Sequence, residues 1–310
     1  MSHETEGRAW RPAHQIELVA GTPPGGGQDR PARALIALLE KHRLLDVPVK
    51  LTNIAGCGGG NAWDYLRRHA GNAHVLAINS PTIISNKLLG VAATDYSDLT
   101  PLANLYTEYP IFIVRADSPL TDIGALIRRL RNAASVPIAL ATAIGNPNHI
   151  ALAQLTRHAG GDLKALAMEV FDSARYVIAH VVEGKAALGV ITAVSAVPEL
   201  TEGKLRTLTL SAPRRLGGVF DGVPTLIESG IDCKVGMWRG LVAPGGVPDE
   251  AVAFWTKVLS AATATDDWRA ELGEKYWADT FMAGADERRF LQEEREVTAA
   301  ALRDLGLVAA

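Results

Sequence analysis

The 310-residue chain has only two cysteines, Cys57 and Cys233, which excludes a disulfide scaffold and a four-thiolate zinc site. It lacks an excess of either charge. The 31 Lys and Arg against 34 Asp and Glu leave a formal net charge of −3, with no basic field to attract nucleic acid. No helix-turn-helix pattern precedes Ile16, which removes a one-chain transcription factor. Long apolar runs are missing too. The longest stretch without Asp, Glu, Lys or Arg, Asn132–Thr156, is broken by Pro137, Gly145, Asn146, Pro147, Asn148 and His149. A membrane-spanning helix needs roughly 20 predominantly apolar residues, so no membrane insertion is expected. Met1–Gln15 is polar, with Glu4, Glu6, Arg8 and Arg11, and has no apolar signal-peptide core. Either the chain stays in the cytoplasm or a leader has been removed.

Catalytic signatures are also absent. The sequence has no G-x-x-x-x-G-K-[ST], H-E-x-x-H, G-x-S-x-G or C-x-x-C, and no two of its histidines stand at metal-ligand spacing. These absences predict no enzyme activity, cofactor or metal. Glu293, Glu294 and Glu296, interleaved with Arg288, Arg289 and Arg295, read as a solvated helix face laced with i,i+3 and i,i+4 pairs. Trp238, between Met237 and Arg239, reads as core or hinge packing.

What is present is an ordinary globular composition, 48% hydrophobic and 21% charged, at a length that suggests two domains. Short apolar runs alternate with helical periodicity. Ile16–Ala20, Val47–Leu51 and Val75–Ile78 read as strands, with helices over Arg30–His42 and Trp63–His69. A second series opens at Tyr109–Val114 and continues through strands at Val136–Ala141, Ala167–Phe171, Ala187–Ala193 and Leu205–Ser211. Its helices are Leu120–Asn132, Ile150–His158 and Ala174–Val182. Strand Val235–Ala243 leads into helical stretches near Asp249–Thr263, Asp266–Tyr276 and Ala285–Leu305. The pattern predicts α/β units with mostly parallel sheets.

Three loops each follow a strand and precede a helix, where open α/β sheets place ligands and where unpaired helix N–H groups suit an anion. Thr22–Asp29 carries Gly25, Gly26 and Gly27, with Asp29 placed to cap the helix or to accept from a ligand. Asn53–Asn61 superficially resembles a dinucleotide fingerprint. Asn61 replaces its third glycine and Asn79 stands where the ribose-binding acid belongs, so a nucleotide-using enzyme is disfavoured and a glycine-rich helix entry fits better. Thr142–His149 offers Thr142, Asn146, Asn148 and His149 around Gly145; His149 reads first as a brace or cap.

These loops, in this order, resemble the substrate-binding receptors of the tripartite tricarboxylate transporter family, the TctC or Bug type. The P-G-G-x-x-D-x-x-A-R motif is matched by Pro24–Arg33 and N-x-x-G-x-G-G by Asn53–Gly59. A threonine-proline pair follows at Leu99-Thr100-Pro101, and G-x-x-x-H at Gly145–His149. G-K-L-R appears at Gly203–Arg206, V-P-T-x-x-E-x-G at Val223–Gly230 and W-x-G-L-x-A-P at Trp238–Pro244. The chain departs from the family at Phe171-Asp172-Ser173, where a lysine-glycine is usual, and after Thr192-Ala193, where Asp or Asn is frequent.

The resemblance implies a type II periplasmic binding protein fold: two α/β lobes, residues 1–108 with 229–310 and residues 109–228, closing on a cleft. It implies a solute-binding protein that captures a small organic carboxylate and passes it to a membrane permease, with periplasmic location; a cytoplasmic sensor or carrier on the same fold is the alternative. The implied ligand contacts are Thr22, Pro24, Gly26, Asp29, Ser80, Thr82, Thr142, Gly145, Asn146 and His149, with Asp172, Ser173 and Thr192 beside them. The three loops Thr22–Asp29, Ser80–Thr82 and Thr142–His149 hold no Lys or Arg. The carboxylate is therefore expected to rest on N–H groups and neutral side chains, with Arg30 on the outer side of its helix and Arg175 within reach of the cleft.

Overall fold

A computed structural model describes residues 10–309; of the polar segment Met1–Gln15, residues 1–9 lie outside the described residues. The elements begin with β1 (Ile16–Ala20), α1 (Asp29–Lys41), β2 (Val49–Asn53), α2 (Gly60–Arg67), β3 (Val75–Asn79), α3 (Thr82–Leu88) and β4 (Leu99–Glu108). There follow β5 (Pro110–Arg115), α4 (Ile123–Leu130), β6 (Ile138–Ala141), α5 (Pro147–His158), β7 (Met168–Phe171), α6 (Ala174–Val182), β8 (Leu188–Thr192), α7 (Val197–Thr201) and β9 (Leu205–Leu210). The chain ends with β10 (Met237–Pro244), α8 (Asp249–Thr263), α9 (Asp266–Glu274), β11 (Ala278–Ala283) and α10 (Ala285–Asp304).

Two sheets result, in the orders β11-β4-β10-β3-β1-β2 and β7-β6-β8-β5-β9. Both are mixed, which corrects the mostly parallel expectation. Parallel pairing holds for β1 with β2 and β3, and for β6 with β7 and β8, where helices cross over. The remaining pairs are antiparallel. The reason is connectivity. β4 runs into β5 with Tyr109 alone between them, and β10 returns alongside β4, so neither has the crossover helix that parallel pairing needs.

Each sheet is buried on both faces. Leu35, Leu38 and Leu39 of α1 pack with Trp255, Leu259 and Trp268 of α8 and α9 on one face of the first sheet. Trp63 and Leu66 of α2, Ile83 and Ile84 of α3, and Leu291 of α10 cover the other. The second sheet lies between α4 and α5 (Leu126, Leu130, Leu152, Leu155) and α6 (Val177, Ile178, Val181). Full burial of each such Leu, Ile or Val side chain stabilises by about 1.5–3 kcal/mol.

The second crossing follows β9. Leu226, Ile231 and Cys233 still pack in the second core, and the chain joins the first sheet at Met237. There it passes β4 so closely that a Cβ on Gly236 would lie 2.3 Å from Thr107 Cγ2, so only glycine fits. Helix α10 spans the join from behind: Arg157 Nη1 of α5 donates to the Asp304 carboxylate at 3.0 Å. The charged face read on α10 is partly solvated, with Arg289 paired to Asp286 and Glu293. Glu294 departs from that reading, since it accepts the Trp238 indole N–H at 2.9 Å. Trp238 itself is core, as its sequence context suggested. Both cysteines are free thiols, Cys57 exposed and Cys233 buried.

Candidate functional site

The C-terminal ends of β1, β3, β6, β7 and β8 converge from both sheets on one cavity of about 50 Å³, room for a few waters. Eight of the residues implied by resemblance line it: Thr22, Gly26, Ser80, Thr82, Thr142, Asp172, Ser173 and Thr192.

Thr22 builds the first wall. Its hydroxyl oxygen accepts the N–H groups of Gln28 and Asp29, each at 3.2 Å, capping α1 from outside the helix. Its own proton remains available to the cavity. Gly26 turns beneath it, donating to Pro23 O at 2.9 Å, and a Cβ there would lie 2.6 Å from Thr22 Oγ1. Asp29 is elsewhere: its buried carboxylate accepts from Gly25 N at 2.8 Å, Asn53 Nδ2 at 2.9 Å, and Arg33 Nε and Nη2 at 2.8 and 3.1 Å. Burial alone would raise this carboxyl, but these hydrogen bonds outweigh it and hold the group below its usual range. Asp29 thus pins the glycine loop, and Pro24 points to solvent; neither lines the cavity.

Ser80 and Thr82 extend the same wall. Thr82 Oγ1 donates to Gly58 O at 2.7 Å, so the 2.8 Å contact between the two hydroxyls has Ser80 as donor. The glycine-rich Asn53–Asn61 segment is the helix entry read from sequence, and Gly58 reaches the cavity through it.

The opposite wall starts at Thr142. Its φ is +86°, a conformation rare for a β-branched residue, and its N–H donates to Phe171 O at 2.7 Å. Such a residue stores on the order of 1–3 kcal/mol of strain, a pattern that clusters at functional sites. Asn146 caps α5, accepting from His149 N at 3.0 Å and donating to Ala141 O at 2.8 Å. Gly145 N–H donates to His149 Nδ1 at 3.0 Å, which places the histidine proton on Nε2. Burial pushes this imidazole down to about 4, so it is a neutral brace. Gly145, Asn146 and His149 therefore stand behind the wall, and the neighbouring Asn148 lines the cavity.

The charged expectation needs correction. Arg30 does not sit on the outer side of α1. It lines the cavity and its Nη1 donates across to Ser195 Oγ at 3.1 Å, linking the two sheets' bodies. Arg239 also lines the cavity, buried and paired through Nη2 with Glu108 at 2.7 Å. Arg175 turns away, with Nη2 donating to the Tyr176 hydroxyl at 2.6 Å and its guanidinium over that ring. Asn148, one of the polar groups read in the third loop, lines the cavity, whereas Gln28, Ser195, Met237 and Arg239 were passed over as lining residues. Helix phase could have exposed Arg30, since it lies one residue beyond the loop; nothing local marked Arg239.

The family model described as the tripartite tricarboxylate transporter family receptor matches residues 34–307. Protein BugT of Bordetella pertussis is 23% identical over 302 residues, 95% of this chain and 90% of that protein. MatC of Rhodopseudomonas palustris, solved with bound malate, superposes with a TM-score of 0.79 at 25% identity, over 94% of this chain and 99% of that one. A second R. palustris protein, solved with adipate, gives a TM-score of 0.86 at 21% identity, over 95% and 98%. The shared architecture is that of the type II periplasmic binding proteins. No helix among the described residues is long and apolar enough to cross a membrane. With the family model covering most of the chain and the cavity placed where two sheets meet, this chain belongs to the tripartite tricarboxylate transporter receptor family, the solute-binding TctC or Bug type.

Proposed function

We propose that this receptor captures a small organic carboxylate in the cleft between its two lobes, residues 1–108 with 229–310 and residues 109–228, and releases it unchanged to a membrane permease on the periplasmic side. The observation that carries this is the convergence of five strand ends from both sheets on one polar cavity, with the capped start of α1 on one wall and the start of α5 behind the other. Thr22, Gly26, Ser80, Thr82, Thr142, Ser173 and Thr192 are the proposed contacts, with Asp172 at the rim. Pro24, Asp29, Gly145, Asn146 and His149 are proposed to act through the loops they hold. Malate and adipate, the acids named with two structural relatives, are both dicarboxylates and set the first compounds to try.

In this conformation the cavity has room for only a few waters and Arg30 bridges its walls to Ser195, so entry of such an acid involves the lobes parting and the Arg30–Ser195 bond breaking. The two crossings, at Tyr109 and at Gly236, are adjacent and form the hinge. A thermal-shift screen against a carboxylate library tests the reading. A ligand at about 100 times its Kd adds roughly 2.7 kcal/mol of stability. The expected result is a shift with one or a few acids, the acid being recovered intact from the complex. Steady chemical turnover of the bound acid by pure protein would refute it.

A further inference from the structure

We infer that the ligand of this site is a zwitterion, a small amino carboxylate, with its carboxylate directed to Arg30 and its ammonium to Asp172 and Asn148. The inference deepens the carboxylate-receptor reading and rests on it.

The cavity carries two charges that the protein leaves uncompensated, one of each sign. Arg30 lines it and makes no ion pair among the described residues; the one hydrogen bond of its side chain among them goes to the neutral Ser195 hydroxyl. Asp172 lines it and likewise has no ion pair or side-chain hydrogen bond among the described residues. The other charged lining residue, Arg239, is neutralised by Glu108. These charges belong to different walls: Arg30 comes from α1 beside the first sheet, Asp172 from the end of β7 in the second.

A second feature points the same way. Asn148 is 1% exposed, lines the cavity, and its Oδ1 has no hydrogen-bond partner. Its orientation is fixed, because its Nδ2 donates to Ala141 O at 3.2 Å and a carbonyl oxygen accepts only from the amide NH2. The second wall thus offers a buried neutral acceptor and a carboxylate, which together suit an N–H donor of positive charge. A second carboxylate on the ligand would meet Asp172 as a like charge and leave Asn148 Oδ1 unpaired, and a buried unpaired acceptor is costly. Discrimination of this kind arises as much from the mismatched group as from the matched one.

Isothermal titration with matched pairs tests the inference: succinate against aspartate, and glutarate against glutamate, with β-alanine as the minimal zwitterion. The amino member of each pair is expected to bind at least about tenfold more tightly, a difference of about 1.4 kcal/mol. Asp172→Asn should reduce that preference to near unity, and Asp172→Lys should reverse it toward the dicarboxylate. Asp172 is exposed, so both variants should fold, and an unchanged melting temperature checks this. Arg30→Gln should weaken both members of a pair alike. If succinate and glutarate bind as tightly as their amino partners, or Asp172→Asn moves both members equally, the zwitterion inference is overturned while the carboxylate reading stands. If no carboxylate of either kind binds, both fall.

Discussion

Replacing Glu287 with glutamine should flatten a pH dependence of stability that the wild-type fold carries. Glu287 lies near the start of α10, 1% exposed, against the first sheet where β4 and β10 lose register between Arg239 and Gly240. A Cβ on Gly240 would stand 3.5 Å from its Oε1, and neither carboxyl oxygen has a well-formed hydrogen bond among the described residues, the Asn104 backbone N–H giving only a downward pull that burial outweighs. Burial pushes the carboxyl from 4.5 up to about 8. The folded state therefore keeps a proton that the unfolded chain loses. Below pH 4.5 both states are protonated and the contribution is fully present. As pH rises toward 8 stability falls, by up to about 1.4 kcal/mol per unit, on the order of 3–5 kcal/mol across the window. That is a large share of a domain's usual 5–15 kcal/mol.

Urea denaturation from pH 5 to 9 measures it, with the midpoint read at constant m. Near pH 5 the Gln variant and the protonated wild type are isosteres and should agree within about 1 kcal/mol. By pH 8.5 the variant should be the more stable by several kcal/mol. His149, held near 4, acts in the opposite sense: its folded value is depressed below 6.5, so stability is lost as pH falls through that range. It is present in both proteins and cancels in the difference. A constant offset between the two proteins across the whole range would refute the placement of a neutral carboxyl under α10.

Thr142→Val keeps the strained backbone and removes the hydroxyl, so carboxylate affinity should fall by one to two decades in calorimetric titration, about 1.5–3 kcal/mol. Thr142→Gly relieves the strain at φ +86° and should raise the melting temperature of the unliganded protein while weakening binding; a melting temperature that falls would show the strain is absent. Gly26→Ala must push Thr22 off the start of α1, because the added Cβ would sit 2.6 Å from Thr22 Oγ1. It should cost about 1–3 kcal/mol in thermal melts and weaken binding, whereas an unchanged melt would place the loop wrongly. Small-angle scattering at graded concentrations of a bound acid should report an equilibrium between open and compact forms; one invariant profile would count against hinge motion.

Much of the fold was legible because most elements carry the pattern of their own class. Ile16–Ala20, Ala174–Val182 and Asp249–Thr263 have the same bounds in sequence and structure. Strand β4 was legible only as the threonine-proline pair at its start. It contains Pro101, which argues against a central strand, yet it lies between β10 and β11, and the proline is accommodated where the ladder shifts register between Leu241 and Val242. Helix α3 and the edge strand β11 are short and lack a decisive period. The antiparallel half of each sheet follows from where the chain crosses between sheets, a tertiary fact that local periodicity does not encode.

The site divides along a similar line. The loops could be located from glycines and helix starts, because backbone geometry demands those residue types locally. Which side chain of each loop faces the cavity is a question of a single position: Asn146 and Asn148 are two apart, and the first caps the helix while the second lines the wall. Charge was the hardest to read, because it enters from outside the loops. Arg30 belongs to the first turn of α1, and Arg239 arrives on β10 some two hundred residues later, to meet Glu108 at the end of β4. A buried pair of this kind offsets its desolvation only when both partners are held in good geometry. The two strands that carry the chain between lobes supply that geometry, with Met237 opposite Glu108 in the ladder. On the proposed hinge reading, the same two strands also fix the electrostatic floor of the cleft. Because Arg239 is neutralised there, the charge left free for a ligand is that of Arg30 on one wall and Asp172 on the other, so parting the walls separates the groups that would hold the ligand's two ends.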